Sequence, residues 1–294
     1  MSDPDRLVDA VHGIDTLTPA HGRLFVVVGV FDGLHRGHHY LLRHLRREAR
    51  RRGARPAVVT FDAHPDEILL GSAPPLLCDL DERLVLLAQA GVEVTVVQHF
   101  DVALRTTPYD RFVEMLRERT EIAGFLMTPD AAFGHERRGT PAAIGELGRR
   151  SGFEVVVVPP LDLDGHPVRS AEIRAAVAAG DLARARHLLG RSLAVVGERA
   201  AADGADATGA PAPASSPGEA VPIRFPIPMA LPPRGRYAVR IEPAWAPDGP
   251  VPPARDRAIV RGTADVGPAE VLVRSRHGLP GAARLRVAFA QRVG

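Results

Sequence analysis

"GVFDGLHRGHHYLL", residues 29–42, joins an apolar run to an amphipathic one, and the reading of that junction decides the fold. Just upstream, "LFVVVGV" (24–30) is a continuous apolar stretch of the kind a strand buried on both faces carries. Downstream, "HYLLRHLRREARRRG" (39–53) puts Leu41, Leu42, Leu45 and Ala49 on one helical face and stops at Gly53. The strand ends near Val30 and the helix begins near Arg36. Between them Gly29, Gly33 and Gly37 allow close backbone approach and unusual torsions. His35 and His38, three apart, share a face at the helix start. A helix N-terminus carries unpaired N–H groups and partial positive charge, so two imidazoles added there suit a polyphosphate. A basic, solvated helix start is the plainer alternative. A structural zinc site is less favoured, because the single cysteine, Cys78, is remote in sequence.

The same alternation continues. "PAVVTF" (56–61), "VEVTVVQ" (92–98), "GFLMT" (124–128) and "FEVVVVPP" (153–160) read as further strands. "DLDERLVLLAQAG" (79–91) reads as a helix with Asp79 as cap and Glu82 completing a capping box. "TPYDRFVEMLRER" (107–119) and "TPAAIGELGRR" (140–150) both start with a Thr cap and a Pro at the first helical position. "SAEIRAAVAAG" and "DLARARHLLG" add two short helices. Valine-rich strands alternating with helices predict an α/β fold, a Rossmann-like parallel sheet with helices on both faces. Ligands of such sheets bind at the carboxyl ends of the strands, near the switch point.

Composition narrows the chemistry. The 294 residues are 45% hydrophobic and 24% charged, which fits a globular chain. The 37 basic residues are all arginines, so mechanisms that need a phosphate-loop or Schiff-base lysine are excluded. The net charge is only +2, which gives little support to a nucleic-acid partner. No apolar run approaches the roughly 18 residues of a membrane helix. "MSDPDRLVDAVHGID" lacks a signal-peptide pattern, and one cysteine suits a reducing, cytoplasmic setting.

Beyond about residue 190 the character changes. "ERAAADGADATGAPAPASSPGEAV" (198–221) is rich in Ala, Gly, Pro and Ser and predicts a flexible link. "RYAVRIEPA" (236–244), "RAIVRGTADV" (257–266), "AEVLVRS" (269–275) and "ARLRVAFAQRV" (283–293) then predict a small antiparallel sheet or barrel. The expected organisation is an N-terminal extension (1–22), an α/β domain (23–190), a link (191–221) and a β-domain (222–294).

The opening stretch closely resembles the Gly-x-Phe-Asp-x-x-His-x-Gly-His signature of the nucleotidyltransferase superfamily. "VVTFDAHPDEIL" (58–69), "FGHERRGT" (133–140) and "VRSAEIR" (168–174) follow in the order and spacing of the bacterial bifunctional riboflavin kinase/FAD synthetase family. The resemblance covers about residues 23–190. It implies the nucleotidyltransferase fold and ATP:FMN adenylyltransferase activity, with Mg²⁺ accompanying ATP, FMN as substrate and FAD as product. Carried over by residue, it implies that His35 and His38 hold the ATP phosphates and that Ser170 and Arg174 close over them. Gly29, Phe31, Asp32 and Gly37 would shape the nucleotide pocket, and Asp130, Phe133 and Gly134 would lie by the adenosine. Phe61, Asp62, His64 and Pro65 would sit by the flavin. No protein metal ligand is assigned, and the oligomeric state is left open.

Several positions depart from the family pattern. The usual Ser-Ser-Thr reads Arg169-Ser170-Ala171, removing two hydroxyls and adding Arg169, a candidate replacement for the lost phosphate contacts. The usual Gly-x-Asp-Phe-Arg-Phe-Gly reads "TPDAAFG" (128–134), losing an aromatic and a basic residue at Ala131 and Ala132. The C-terminal part resembles the family's kinase domain faintly. Ile227 and Met229 stand where Thr and Asn would serve Mg²⁺ and ATP, and neither can ligate a hard cation. Glu270 occupies the catalytic carboxylate position on a degraded strand, where a surface role is the better reading. The expectation is a FAD synthetase with a degenerate kinase barrel. The alternatives are transfer to a flavin analogue or another phosphorylated acceptor, and a non-catalytic flavin- or nucleotide-binding protein.

Overall fold

The computed structural model describes residues 9–200, 214–244, 258–268 and 270–293. They form two compact units: one holds residues 9–74 and 83–168, the other residues 75–82 and the described residues from 169 onward.

The first unit is built on a six-stranded parallel sheet. Its strands are β1 (Asp9–His12), β2 (Leu24–Val28), β3 (Arg55–Phe61), β4 (Val94–Gln98), β5 (Ile122–Met127) and β6 (Glu154–Val157), in the order β1-β4-β3-β2-β5-β6. β2 lies between β3 and β5, so the order reverses beside it. That is the topological switch point, where ligands of open α/β sheets bind. The helices are α1 (Arg36–Arg51), α2 (Pro65–Leu70), α3 (Leu80–Gln89), α4 (Val102–Thr106), α5 (Tyr109–Arg117) and α6 (Pro141–Ser151). Strand residues alternate between two cores, as a period of two requires. Val26, Val59, Val96 and Phe125 pack with Phe112, Leu116 and Ile144 on one face. Phe25, Val27, Val58 and Leu126 pack with Leu42, Leu45, Ala49 and Leu87 on the other. The Thr140 cap forms as its sequence predicts, accepting from the Ala143 N–H at 3.3 Å. A short hairpin, β7 (Asp162–Leu163) and β8 (His166–Pro167), ends the unit.

The second unit carries α7 (Ser170–Ala178), α8 (Leu182–Leu189) and a closed antiparallel barrel. The barrel strands are β9 (Ala194–Arg199), β10 (Val221–Arg224), β11 (Gly235–Pro243), β12 (Val260–Val266), β13 (Val271–Arg274) and β14 (Arg284–Val293). They close in the order β10-β13-β12-β11-β14-β9. Tyr237, Val239 and Ile241 alternate into the core with Val271, Val273, Val287 and Phe289, each at most 3% exposed. The buried Tyr237 hydroxyl donates to the Pro233 carbonyl at 2.7 Å, so the core leaves it satisfied. A bulge between Ala238 and Val239 against β14 bends the ribbon, a usual device where a barrel closes.

The expected boundaries shift at four places. Residues 9–12 are no extension: they form the edge strand β1, paired in parallel with β4 from Asp9↔Val94 to His12↔Val97. The first unit ends at Val168 rather than 190, because α7 and α8 belong to the second unit. The expected link contains β9, which pairs with both β10 and β14; the remainder of that segment at 201–213 lies outside the described residues. Thr107 does not cap α5. It ends α4, its hydroxyl donating to the Ala103 carbonyl, and Pro108 takes the N-cap position without a side-chain bond.

Candidate active site

The chain leaves β2 through a tight turn. The Gly29 N–H donates to Val59 O at 3.0 Å and the Thr60 hydroxyl donates to Val30 O at 3.0 Å, pinning the strand end to β3. Phe31 (φ 54°) and Leu34 (φ 35°) then take left-handed torsions, with Gly33 (φ 77°) between them. Each such non-glycine residue costs on the order of 1–3 kcal/mol and persists only where packing over-determines it. Here it does: Phe31 is 3% exposed and Leu34 0%, both inserted into the core beside Leu42. Gly29 is required by approach, because a Cβ there would meet the Phe31 ring at 3.1 Å.

His35 is the N-cap of α1, and its Nδ1 accepts from the His38 N–H at 3.2 Å. That bond assigns the proton of a neutral His35 ring to Nε2. The His38 ring stacks on His35 with centroids 3.6 Å apart and 16° between planes. Phe31 tilts against His38 at 5.0 Å. His35 is 4% exposed and Asp32 2%. At Gly37 a Cβ would lie 3.0 Å from the His35 ring and 3.2 Å from the Val168 carbonyl, so glycine makes room for the stack. The two histidines thus share a face, as their spacing predicts, with a third residue of the motif ordering them.

Beside this turn, at the carboxyl ends of β2 and β3, lies a cavity of about 690 Å³. Val28, Gly29, Val30, Phe61, Phe100, Phe112 and Phe133 are among its walls. Phe61 meets Phe100 edge to face at 5.2 Å, and Phe112 meets Phe133 at 5.3 Å. Arg105, His135, Glu136 and Arg137 also line it. Glu136 (φ 52°) and Arg137 (φ 56°) are again left-handed, and Arg137 donates to Asp130 O at 3.2 Å. Gly134 is held tightly, since a Cβ would lie 2.6 Å from the Tyr109 backbone.

The expected site residues divide. Phe61 and Pro65, assigned to the flavin, share this one cavity with Gly29, Phe133 and Gly134, assigned to the nucleotide. Asp62 and His64 are not among its walls. His64 caps α2, accepting from the Asp66 N–H at 3.2 Å. Asp62 accepts from the Ala63 N–H, from the Phe100 N–H and from His99 Nδ1 at 2.6 Å, tying the end of β4 to the end of β3. Burial opposes ionisation of Asp62, but these hydrogen bonds outweigh it and hold the carboxyl below its ordinary range. The Asp62 contact holds His99 above the ordinary histidine value. Asp130 accepts from the Thr128 hydroxyl at 2.7 Å and is exposed. Arg169, Ser170 and Arg174 lie in the second unit, where Arg169 is the N-cap of α7, Ser170 opens the helix and Arg174 follows one turn later. Phe100, Leu104, Arg105, Phe112 and Arg137 are cavity residues that motif reading alone passed over. Phe100 had one legible signal, its place just past the carboxyl end of a parallel strand.

Mg²⁺ has no built cage here: among the described residues no group of three or more His, Cys, Asp or Glu side chains could hold a metal. No helix among the described residues is long and apolar enough to cross a membrane.

Comparison with known proteins addresses the family. The family model described as FAD synthetase matches residues 17–172, just over half of the chain. A bifunctional riboflavin kinase/FMN adenylyltransferase of Haemophilus influenzae is 33% identical over 58% of this chain and 56% of its own length. The Pseudomonas fluorescens protein of that name is 31% identical over 64% and 60%. The Escherichia coli K12 one is 29% identical over 80% and 73%. The chain therefore spans somewhat over half of the first two relatives. A solved structure described as a macrolide-efflux protein from Streptococcus pneumoniae superposes with a TM-score of 0.73 at 22% identity, covering 97% of this chain and 91% of that one, a likeness of fold alone. With the matched segment running from just past the edge strand β1 into the first turn of α7 and enclosing both the histidine turn and the cavity, the chain belongs to the FAD synthetase family.

Proposed function

We propose that this chain is an FMN adenylyltransferase, joining ATP and FMN to give FAD and pyrophosphate, and that its barrel has no riboflavin kinase activity. The observation that carries the reading is the stacked His35–His38 pair on the α1 N-terminus beside an aromatic cavity large enough for a planar ring system. Pockets of roughly 300–1,000 Å³ take such ligands. An oxygen of the FMN phosphate attacks the α-phosphorus of ATP. The bond from the α-phosphorus to the α,β-bridging oxygen breaks, and pyrophosphate leaves with the electron pair. The nucleophile is already ionised, so no strong general base is required. The N–H groups opening α1 and the two imidazoles stabilise charge gathering on the phosphates, and the cavity holds the acceptor in line. Mg²⁺ carried on the ATP phosphates would supply part of that charge neutralisation. A reducing cytoplasmic location fits the buried Cys78, the chain's single cysteine.

The loss of kinase activity rests on the barrel. Met229 is 8% exposed and pairs with Leu76 in a parallel bridge, its backbone held by the Leu76 N–H to Pro228 O and the Ala230 N–H to Leu76 O. The position is filled by a packed thioether, a poor ligand for Mg²⁺. Ile227 is exposed, and Glu270 faces Arg224 at 3.9 Å. Incubation with ATP, Mg²⁺ and FMN should yield FAD and pyrophosphate, whereas riboflavin with ATP should yield no FMN. Absence of FAD formation would overturn the first half of the reading; riboflavin phosphorylation would overturn the second. One observation favours a neighbouring reading, transfer to a flavin analogue. Ala132 lines the cavity where the family pattern carries a larger basic side chain, so the wall is locally cut back. Flavin analogues and other nucleotides offered in the same assay separate the two.

A further inference from the structure

Arg83, in the first turn of α3, is 1% exposed and is the largest fully buried side chain among the described residues. Its Nη1 donates to the Phe61 carbonyl at 2.8 Å and to the Thr60 hydroxyl at 3.2 Å. Its Nε is buried with no hydrogen-bond partner. No carboxylate pairs with it among the described residues, and its two acceptors are neutral. Arg286, also mostly buried, shows the ordinary arrangement, bonded to Glu82 at 2.8 Å and Glu242 at 2.7 Å. Burying an unpaired cation costs several kcal/mol. Arginine cannot relieve that cost by losing its proton. The positive charge at this place is therefore obligatory, and among the described residues no carboxylate forms an ion pair with it.

Its location says what could. Thr60 passes the contact on, donating to Val30 O, so the guanidinium lies beneath the joined ends of β2 and β3. Val30 and Phe61 are both cavity walls. We propose that Arg83 is the built-in counter-charge for a phosphorylated flavin in this cavity. It fixes the Phe61 and Val30 walls through their backbones, and its charge favours an anionic ligand over its neutral parent. Arg83 is a positioning residue, since it is too buried to touch the ligand itself. The inference rests on the flavin reading above and specifies which flavin the cavity prefers. A unit charge roughly 8–10 Å from a phosphate, at an effective dielectric near 20, favours the anion by a factor on the order of ten.

The test is titration of FMN and of riboflavin by flavin fluorescence with the wild-type chain, Arg83→Met and Arg83→Lys. The wild type should prefer FMN by about tenfold or more. Arg83→Met keeps side-chain length and removes charge, so FMN affinity should fall on the order of tenfold while riboflavin affinity stays within about twofold. Arg83→Lys should retain most of the preference. Equal losses for both flavins, or no change, would show a mere packing role and overturn the proposal. If Arg83→Met does not fold, the wild type still decides: a preference for FMN that persists at high salt supports the buried counter-charge, whereas a preference lost at high salt, as exposed Arg105 and Arg137 would give, or no preference at any salt, overturns it. If the wild type binds neither flavin, the flavin reading itself fails and this inference with it. Selective failure in Arg83→Met leaves that reading intact.

Discussion

Between Val28 and Arg36 the chain sets two buried non-glycine residues at positive φ, caps a helix with a histidine and stacks a second histidine upon it. Between Val221 and Val293 the described residues include no non-glycine residue at positive φ, and the core is plain aliphatic and aromatic packing. Both regions contain fully buried side chains: Leu34 is 0% exposed in one, Ile241 and Val273 in the other. They differ in what the packing supports. In the first unit burial sustains strain and polar groups that a simpler turn would avoid. In the barrel the buried charge is paired, Arg286 with Glu242, and others stay at the surface, where Asp265 sits between Arg236 and Arg274 and its carboxyl is held below the ordinary range by the Arg236 hydrogen bond. Fold and chemistry are thus separable. Hydrophobic burial keeps a barrel closed whether or not its ligand-bearing positions survive. Strain and buried polar groups persist only where something else over-determines them.

The sharpest way to break this contrast is to exchange side chains at the two sites. His35→Ala or His38→Ala should lower FAD formation by on the order of 10²–10³, with a smaller effect on ATP binding, because the lost donors matter most as charge gathers in the transition state. Glu270→Ala, in the barrel, should leave that rate within about twofold of wild type, as an exposed rim carboxylate would. Equal effects in steady-state kinetics would erase the distinction.

Next in size, Ile241→Ala should cost about 2–5 kcal/mol in denaturant unfolding, as a fully buried large-to-small change does. The rate of FAD formation per folded molecule should be unchanged. A parallel fall in that rate would mean that the barrel contributes to catalysis after all.

A smaller effect is expected at Gly37. Alanine is the better helix former by about 1 kcal/mol. Its Cβ, however, would press on the His35 ring and the Val168 carbonyl. Gly37→Ala should therefore slow turnover roughly tenfold, within the range that misplaced catalytic groups produce, without lowering the melting temperature. Full activity would show that the stack tolerates a shift.

The smallest effect sharpens the description of the cavity wall. The His99–Asp62 pair anchors the segment carrying Phe100. Asp62 raises the folded-state pKa of His99, so that contribution is complete below about 6.5 and is lost as pH rises through the higher folded value. The Asp62 pKa is depressed, so its contribution is complete above about 3.9 and is lost as pH falls through the lower folded value. FMN affinity should weaken by a few-fold from pH 6 to pH 9 in the wild type and by less in His99→Gln. Identical pH profiles would remove the pair from any role at the cavity.

Much of this was written in the sequence because it is local. Continuous valine-rich runs, the leucine face of α1, the Thr140–Pro141 helix start and the Gly-His turn each encode their structure within a few residues, and each appears where it is expected. The five strands legible in that way were joined by a sixth. Asp9–His12 is too short and mixed to announce a strand, and only pairing with β4 makes it one. Ala194–Arg199 likewise lies beside an Ala- and Pro-rich segment and is a strand because β10 and β14 receive it. The cavity is the least local feature. Phe61, Phe100, Phe112 and Phe133 come from four separate stretches, and strand order alone brings them together. Arg83 carries no local signal of burial, and tertiary packing alone buries it against the carbonyl of Phe61. By itself the sequence determined the elements and the histidine turn, since backbone torsions, caps and periodicity act over short distances. Only the tertiary structure decided which apolar residues line a cavity and which charge is left buried without a partner, because both depend on contacts between residues far apart in the chain.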